Sequence, residues 1–237
     1  MDKKCSARER KYRSLKQEHF LQAASALQLA LFGALAWWVH RHPVLSIDVA
    51  ITRLLQKNQS PPLRYAMVAL SSVNEHTFLN VLAAPLAAYF WMRRLRLEAV
   101  MTIAMFWTNA LARAGIKSVI DRPRPNPLLV RVTKPSMGKS FPSGHVASSL
   151  NFWGWLFTLG VLQKQWNRTG RRALLSMPLL CMVFVGPARI YLGNHWATDV
   201  LGGYLFGGGW FCLSLRVYLW LREQEVLRPL QRSSKSS

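Results

Sequence analysis

The sequence predicts an all-α bundle of six membrane-crossing helices. Three observations carry that reading. Apolar residues make up 51% of the 237 positions and gather in long runs. At about 1.5 Å of rise per residue, a run of about 20 spans the hydrocarbon of a bilayer. The 31 Lys and Arg lie mostly between those runs, and many of the ten Trp, eleven Phe and six Tyr sit near run ends. Rings with an apolar body and a polar edge favour the membrane–water interface.

The first run covers residues 20–39 and ends in Trp37 and Trp38 before His40-Arg41-His42. It is longer than a signal-peptide core and lacks a small-residue cleavage site, so it reads as a retained helix. Residues 41–64 mix apolar and polar side chains around Pro43, Pro61 and Pro62, a pattern expected of an interfacial segment. A second apolar region, 65–92, is interrupted at Asn74-Glu75-His76. Its spanning part is expected at 77–92, closed by Arg93, Arg94 and Arg96. The remaining runs are 97–116, 143–163, 173–188 and 196–221. The fourth run is followed by Lys164, Arg168, Arg171 and Arg172. Basic tails at 1–19 and 222–237 flank a membrane domain at 20–221. In the last run, glycines at 202, 203, 207, 208 and 209 leave room for close helix approach in lipid.

The formal charge of +21 is high enough for a nucleic-acid protein. The basic residues punctuate apolar runs and do not line one polar surface, which fits membrane topology and argues against nucleic acid. With the N-terminus inside, cytoplasmic segments hold 18 basic residues and external ones 11. The positive-inside bias therefore puts both termini in the cytoplasm. Cys5, Cys181 and Cys212 have no metal-site or disulfide spacing, and the latter two are expected as small buried side chains.

Three pieces on the external side hold the polar residues that carry chemistry. The first runs from Lys117 through Asp121, Arg122 and Pro123 to Arg124 and Pro125. The second is Pro142-Ser143-Gly144-His145 at the start of the fourth run. The third holds Arg189, His195 and Asp199 between the last two runs. Arginine matches phosphate oxygens with paired donors, and lysine adds a point charge. Free N–H groups at Ser143 and Gly144 would open a helix toward an anion, and Gly144 would let a ligand approach the backbone. If the turn is helical, His195 and Asp199 share a face four residues apart. The carboxylate then fixes one ring nitrogen and leaves the other free to attack phosphorus. His145 has no carboxylate at matching spacing and suits a proton donor to the leaving oxygen. Ionisable residues in a membrane chain seldom persist without use.

Five further residues carry weaker expectations. Arg113, four before Lys117, faces either the site or the outer interface. Glu75 and His76 read as ordinary interfacial residues, Arg122 as a partner of Asp121 or of the lipid surface, and Asn109 as bonding a neighbouring helix.

Together these pieces resemble the type 2 phosphatidic acid phosphatase superfamily. Its pattern is Lys, six residues, Arg-Pro; then Pro-Ser-Gly-His; then Ser-Arg, five residues, His, three residues, Asp. Lys117 to Pro125 and Pro142 to His145 match the first two parts. Arg189, His195 and Asp199 match the third, with Ala188 in place of the serine. The resemblance implies the six-helix, haloperoxidase-like bundle. His195 would be the nucleophile, Asp199 would orient it, and His145 would be the general acid and then base. Lys117, Arg124, Ser143, Gly144 and Arg189 would hold the phosphoryl oxygens. No metal or other cofactor is implied, and three cations around two histidines would repel a divalent ion.

The expected substrate is a lipid phosphate or diphosphate in the outer leaflet, with the site facing away from the cytoplasm. Undecaprenyl diphosphate is the first choice for a bacterial chain. Phosphatidylglycerol phosphate, phosphatidic acid and lipid A 1-phosphate are the alternatives. Phosphoryl transfer to a second lipid would use the same intermediate. The haloperoxidases of the superfamily are soluble, against six apolar runs here. A non-enzymatic lipid binder has no use for a His–Asp pair, and a transporter would more often break its helices at mid-membrane.

Overall fold

The computed structural model describes residues 2–133, 137–162 and 168–233, all helix, turn or loop. Eight helices follow in order: α1 Asp2–Arg41, α2 Ser46–Leu55, α3 Pro61–Val73, α4 His76–Met92, α5 Arg96–Ile120, α6 Gly144–Leu162, α7 Arg168–Tyr191 and α8 Ala197–Ser233. Each of the six apolar runs is helical. Gln163 and Lys164 at the end of the fourth run, Lys134 in the loop before α6 and residues 234–237 of the tail lie outside the described residues. Three helical stretches are long and apolar enough to cross a membrane: Glu18–Arg41, Arg96–Ile120 and Ala197–Gln224. Thr77–Met92 and Leu175–Tyr191 are shorter apolar helices. Large apolar side chains point outward, as they can where the surroundings are lipid: Leu27 and Trp37 on α1, Trp107 and Leu111 on α5, Leu180 on α7.

The stretch between the first two runs, expected as an interfacial segment, is helical. Two helices form there, and α2 turns Asp48 and Thr52 into the protein. Pro61 and Pro62 start α3, where a missing N–H loses no helical bond. The apolar region 65–92 is thus two helices that break at Asn74-Glu75. The Asn74 side chain donates to the Leu70 carbonyl at 2.7 Å and accepts from Ser149 Oγ at 2.7 Å and Trp153 Nε1 at 2.9 Å. A buried amide is tolerable only with its polar atoms paired, and this pairing anchors the break to α6.

Two left-handed residues deliver the site loops. Asp121, at φ 47°, ends α5, and the following Arg-Pro-Arg-Pro cannot continue a helix. Gly193, at φ 69°, turns the chain after α7. A Cβ there would lie 2.1 Å from the Arg131 carbonyl oxygen, so no other residue fits.

Helix α8 is the axis of the bundle. α1 runs antiparallel along it: Ser25 Oγ donates to the Gly209 carbonyl at 2.9 Å, and the Phe32 ring lies 5.4 Å from that of Phe206. On another side α8 meets α6 through its glycines. A Cβ on Gly203 would come 2.9 Å from the Ser143 carbonyl oxygen, and one on Gly207 would come 2.8 Å from the Ala147 Cα. In lipid, where apolar burial drives little association, such backbone approach supplies the packing. Toward the other end, Trp155 meets Tyr218 edge-on at 4.9 Å in a cluster with Met105 and Leu159.

Gly207→Val should therefore lower the melting temperature in detergent, because its neighbour is backbone; overpacking of this kind costs about 1–3 kcal/mol. Gly33→Ala, with nothing within 4 Å of its Cβ position, should leave the temperature unchanged or slightly higher. Equal effects from the two would contradict this packing.

Candidate active site

The loop ends of α3, α5, α6 and α7 surround a cavity of about 640 Å³. Its lining includes Arg113, Lys117, Arg124, Gly144, His145, Arg189 and His195, with Glu75, Ser71 and Asn194. Of the eight residues singled out in the three sequence pieces, six line the cavity. Asp199 and Ser143 lie behind that wall.

His195 precedes α8, whose first residue is Ala197, so the expected shared helical face does not exist. The relation to Asp199 is built differently. Trp196 is the N-cap: its carbonyl accepts from Val200 N–H, and its own N–H donates to Asp199 Oδ2 at 2.8 Å. That reach-back of the third helical residue is half of a capping box. It brings Asp199 Oδ2 to 3.6 Å from His195 Nδ1. The separation exceeds a hydrogen bond, and Nδ1 has no other partner. Pairs of this kind commonly tighten when substrate binds.

Asp199 is otherwise saturated. Oδ2 also accepts from Ser140 Oγ, and Oδ1 accepts from Arg122 Nη1 at 2.6 Å. Arg122 therefore does not answer Asp121 or the lipid surface. It is fully enclosed and bridges Asp199 to Asp48 of α2, 2.6 Å from each. Asp121 contacts Lys139 instead.

The other ring nitrogen of His195, Nε2, faces the cations and lies 3.4 Å from Arg124 Nη1. Arg124 is braced by the carbonyls of Gly138 at 3.0 Å and Asn194 at 2.8 Å. Lys117 Nζ donates to the Lys139 carbonyl at 3.0 Å. Arg189 donates through Nη1 to Ser71 Oγ at 2.6 Å, while its buried Nε has no partner. Thus Ser71 of α3 brings a hydroxyl to Arg189, although Ala188 itself has none.

Burial pushes the His195 imidazole well below its ordinary proton affinity. The charges of Arg189, Arg124, Lys117 and His145 push the same way. Burial likewise lowers Arg124, against the pull of Asp199. A neutral imidazole with its free nitrogen toward a cation cluster is a nucleophile or base aimed at an anion.

Three further expectations change. His145 does have a carboxylate: Glu75 Oε2, at the α3–α4 break, lies 2.8 Å from its Nε2. Glu75 is therefore a site residue, 70 positions away in sequence. Arg113 also faces the cavity. Its Nε bonds Asn109 and its Nη2 bonds Ser148, each at 3.0 Å, so Asn109 serves its own helix and not a neighbour. Gly144 makes room for Arg113, because a Cβ there would lie 2.5 Å from Arg113 Nη1. The Ser143 N–H is not free for an anion, since it donates to the Asp199 carbonyl at 3.0 Å. Its buried Oγ has no partner. Among the described residues no three His, Cys, Asp or Glu side chains gather as a metal site.

In a histidine-labelled sample, the His195 ring should stay neutral below pH 6.5, where a free imidazole already takes up its proton. The folded state binds this proton less readily than the unfolded one. Its share of stability is thus complete above 6.5 and falls as pH drops below it. An NMR titration showing His195 protonated at neutral pH would overturn the assignment.

The family comparison agrees with this geometry. The profile of the PAP2 superfamily matches residues 95–223, just over half of the chain. The chain is 29% identical over 178 residues to phosphatidylglycerophosphatase B of Bacillus subtilis (strain 168), covering 74% of this chain and 85% of that protein. It is 26% identical over 186 residues to the undecaprenyl-diphosphatase of Sulfolobus acidocaldarius, covering 73% and 79%. The crystal structure of a transmembrane PAP2-type phosphatidylglycerolphosphate phosphatase from Bacillus subtilis superposes with a TM-score of 0.68 at 26% identity, covering 80% of this chain and 93% of that one. With its three sequence pieces gathered around one cavity and inside the matched region, the chain belongs to the PAP2 superfamily.

Proposed function

We propose that this protein is a membrane phosphatase that hydrolyses a lipid phosphate or diphosphate through a phosphohistidine at His195. The observation that carries the reading is the cavity itself: a neutral, buried His195 faces Lys117, Arg124 and Arg189, with a second imidazole on the same wall. A phosphoryl group there would be held by charge-assisted bonds from the three cations, which suits the spread of charge in phosphoryl transfer. The N–H groups in the first turn of α6 add neutral donors.

The steps follow from the placement. The lone pair of His195 Nε2 forms the N–P bond. The P–O bond to the lipid breaks, and its electron pair leaves on oxygen, which takes the proton of His145. In the second half His145 accepts a proton from water. The water oxygen bonds phosphorus, the N–P electrons return to Nε2, and inorganic phosphate departs. Glu75 holds the ring of His145 through both halves. Asp199 faces the imidazolium charge that His195 carries while phosphorylated.

The apolar part of the cavity wall, Val68 of α3 with Ala110 and Ala114 of α5, suits the first carbons of a lipid chain. Six spans are proposed, formed by α1, α4, α5, α6, α7 and α8, with α2, α3 and the cavity on the external side. Both termini then lie in the cytoplasm, as the charge bias requires.

Undecaprenyl diphosphate is the first choice of substrate, and the specific observation in favour of a diphosphate is Arg113. It is a fourth cation on the cavity wall, one helical turn from Lys117 and beside Gly144. Its charge bears on Lys117. A cation set back from the nucleophile on the side of His145 suits a second phosphoryl group in the leaving portion.

His195→Ala should abolish phosphate release from every substrate in a panel of lipid phosphates and diphosphates, with folding and membrane insertion intact. Turnover at the wild-type rate would reject the nucleophile. In the same panel, Arg113→Gln should reduce kcat/KM about tenfold more for a lipid diphosphate than for the matching monophosphate. An unchanged ratio would remove the preference for a diphosphate.

A further inference from the structure

The mechanism above uses Asp199 but leaves a buried ionic cluster behind it unexplained. Arg122 and Asp48 are both fully enclosed. The guanidinium donates from Nη1 to Asp199 Oδ1 at 2.6 Å and to Thr198 Oγ1 at 2.7 Å. It also donates from Nη2 to Asp48 Oδ2 at 2.6 Å and from Nε to the Pro43 carbonyl at 2.8 Å. Asp48 in turn accepts from the Thr198 N–H and hydroxyl, each at 2.8 Å. Asp48 lies on α2, before the residues matched by the family profile, while Arg122, Thr198 and Asp199 lie within them.

The charges in this cluster do not cancel. One guanidinium faces two carboxylates, so with both ionised the group carries one net negative charge in a fully enclosed place. Burying an unbalanced charge is expensive, and a single Arg–Asp pair would have been the cheaper arrangement. The nearest titratable group to the surplus is His195, whose Nδ1 lies 3.6 Å from Asp199 Oδ2. When Nε2 bonds phosphorus the ring becomes cationic, and the surplus then has a partner. If Arg122 answered Asp199 alone, the guanidinium would neutralise the carboxylate that this cation needs.

We infer that Asp48 and Arg122 are positioning residues for the nucleophile. Arg122 fixes the orientation of the Asp199 carboxylate, and Asp48 shares the guanidinium so that Asp199 keeps its charge for the phosphorylated His195. The inference rests on the phosphohistidine reading and adds to it a requirement located on α2. It also separates two roles of the cluster. A purely structural tether of α2 would disturb substrate binding and chemistry alike. A device that balances charge would act on the transition state and spare the ground state.

The test uses the full-length protein in detergent with phosphate release as the assay. Two inhibitors serve as probes. Inorganic phosphate resembles the product, and vanadate accepts an axial nitrogen and resembles the five-coordinate transition state. Inhibition constants do not depend on what fraction of a preparation is folded. Asp48→Asn keeps the shape but removes the charge. It should lower kcat about tenfold or more, as loss of one nearby charge in a poorly screened site predicts. KM and the phosphate inhibition constant should stay within about threefold, while the vanadate constant rises in step with the loss of kcat. Asp48→Glu, which keeps the charge, should recover most of the rate.

Equal weakening of phosphate and vanadate, or an unchanged kcat, would reduce the cluster to a tether and overturn the inference. If Asp48→Asn yields no folded protein, Arg122→Lys carries the same comparison, because a lysine cannot bridge both carboxylates. A rise in the vanadate-to-phosphate ratio supports the inference, and a constant ratio rejects it. The phosphatase reading is judged separately, by wild-type turnover and its loss in His195→Ala.

Discussion

Asp199 joins four parts of the chain at one carboxyl residue. Its side chain takes the Trp196 N–H at the start of α8, the Ser140 hydroxyl from the long loop and the Arg122 guanidinium that reaches α2, while its carbonyl takes the N–H of Ser143 at the start of α6. Buried polar groups must find partners, and here the requirement is met between segments distant in sequence. The cavity wall is therefore assembled around a single acid.

The cation cluster imposes a second constraint. Arg113, Lys117, Arg124 and Arg189 share a confined space, and each repels the others. Carbonyl oxygens relieve part of this. Lys139 and Gly138 offer theirs to Lys117 and Arg124, and Asn194 offers a second to Arg124. Dipoles of this kind hold cations in place without neutralising them, so the field that would receive an anion survives. Burial, and then the same field, keep the His195 imidazole neutral.

Much of this was legible in the sequence. The apolar runs predicted six of the helices, because long apolar stretches bounded by arginine and tryptophan have few other interpretations. The three polar pieces predicted six of the residues that line the cavity, because several fixed spacings at once are a joint constraint. What stayed hidden depended on contacts between distant segments. Asp48 reads as one polar residue in an unremarkable stretch, and Arg122 as the lesser partner of Arg124 in a repeated Arg-Pro. Their relation spans 74 residues and leaves no periodic signal. Glu75 reads as an ordinary interfacial residue where it interrupts an apolar region, yet the interruption is what lets a carboxylate enter the cavity. A single acid inside an apolar stretch was the available clue in both cases. The pairing of His195 with Asp199 was anticipated, but by the wrong geometry: the helix starts later than the spacing suggested, and a cap does the work assigned to a shared face.

Gly144 carries a last consequence. The flat guanidinium of Arg113 lies where its side chain would be, so the two positions behave as one fitted unit divided between α5 and α6. An alanine at 144 would make the guanidinium, the far end of a flexible side chain, shift from its seat without touching any proposed catalytic atom. The glycine of the Pro-Ser-Gly-His piece is, in this chain, a socket for a neighbouring helix.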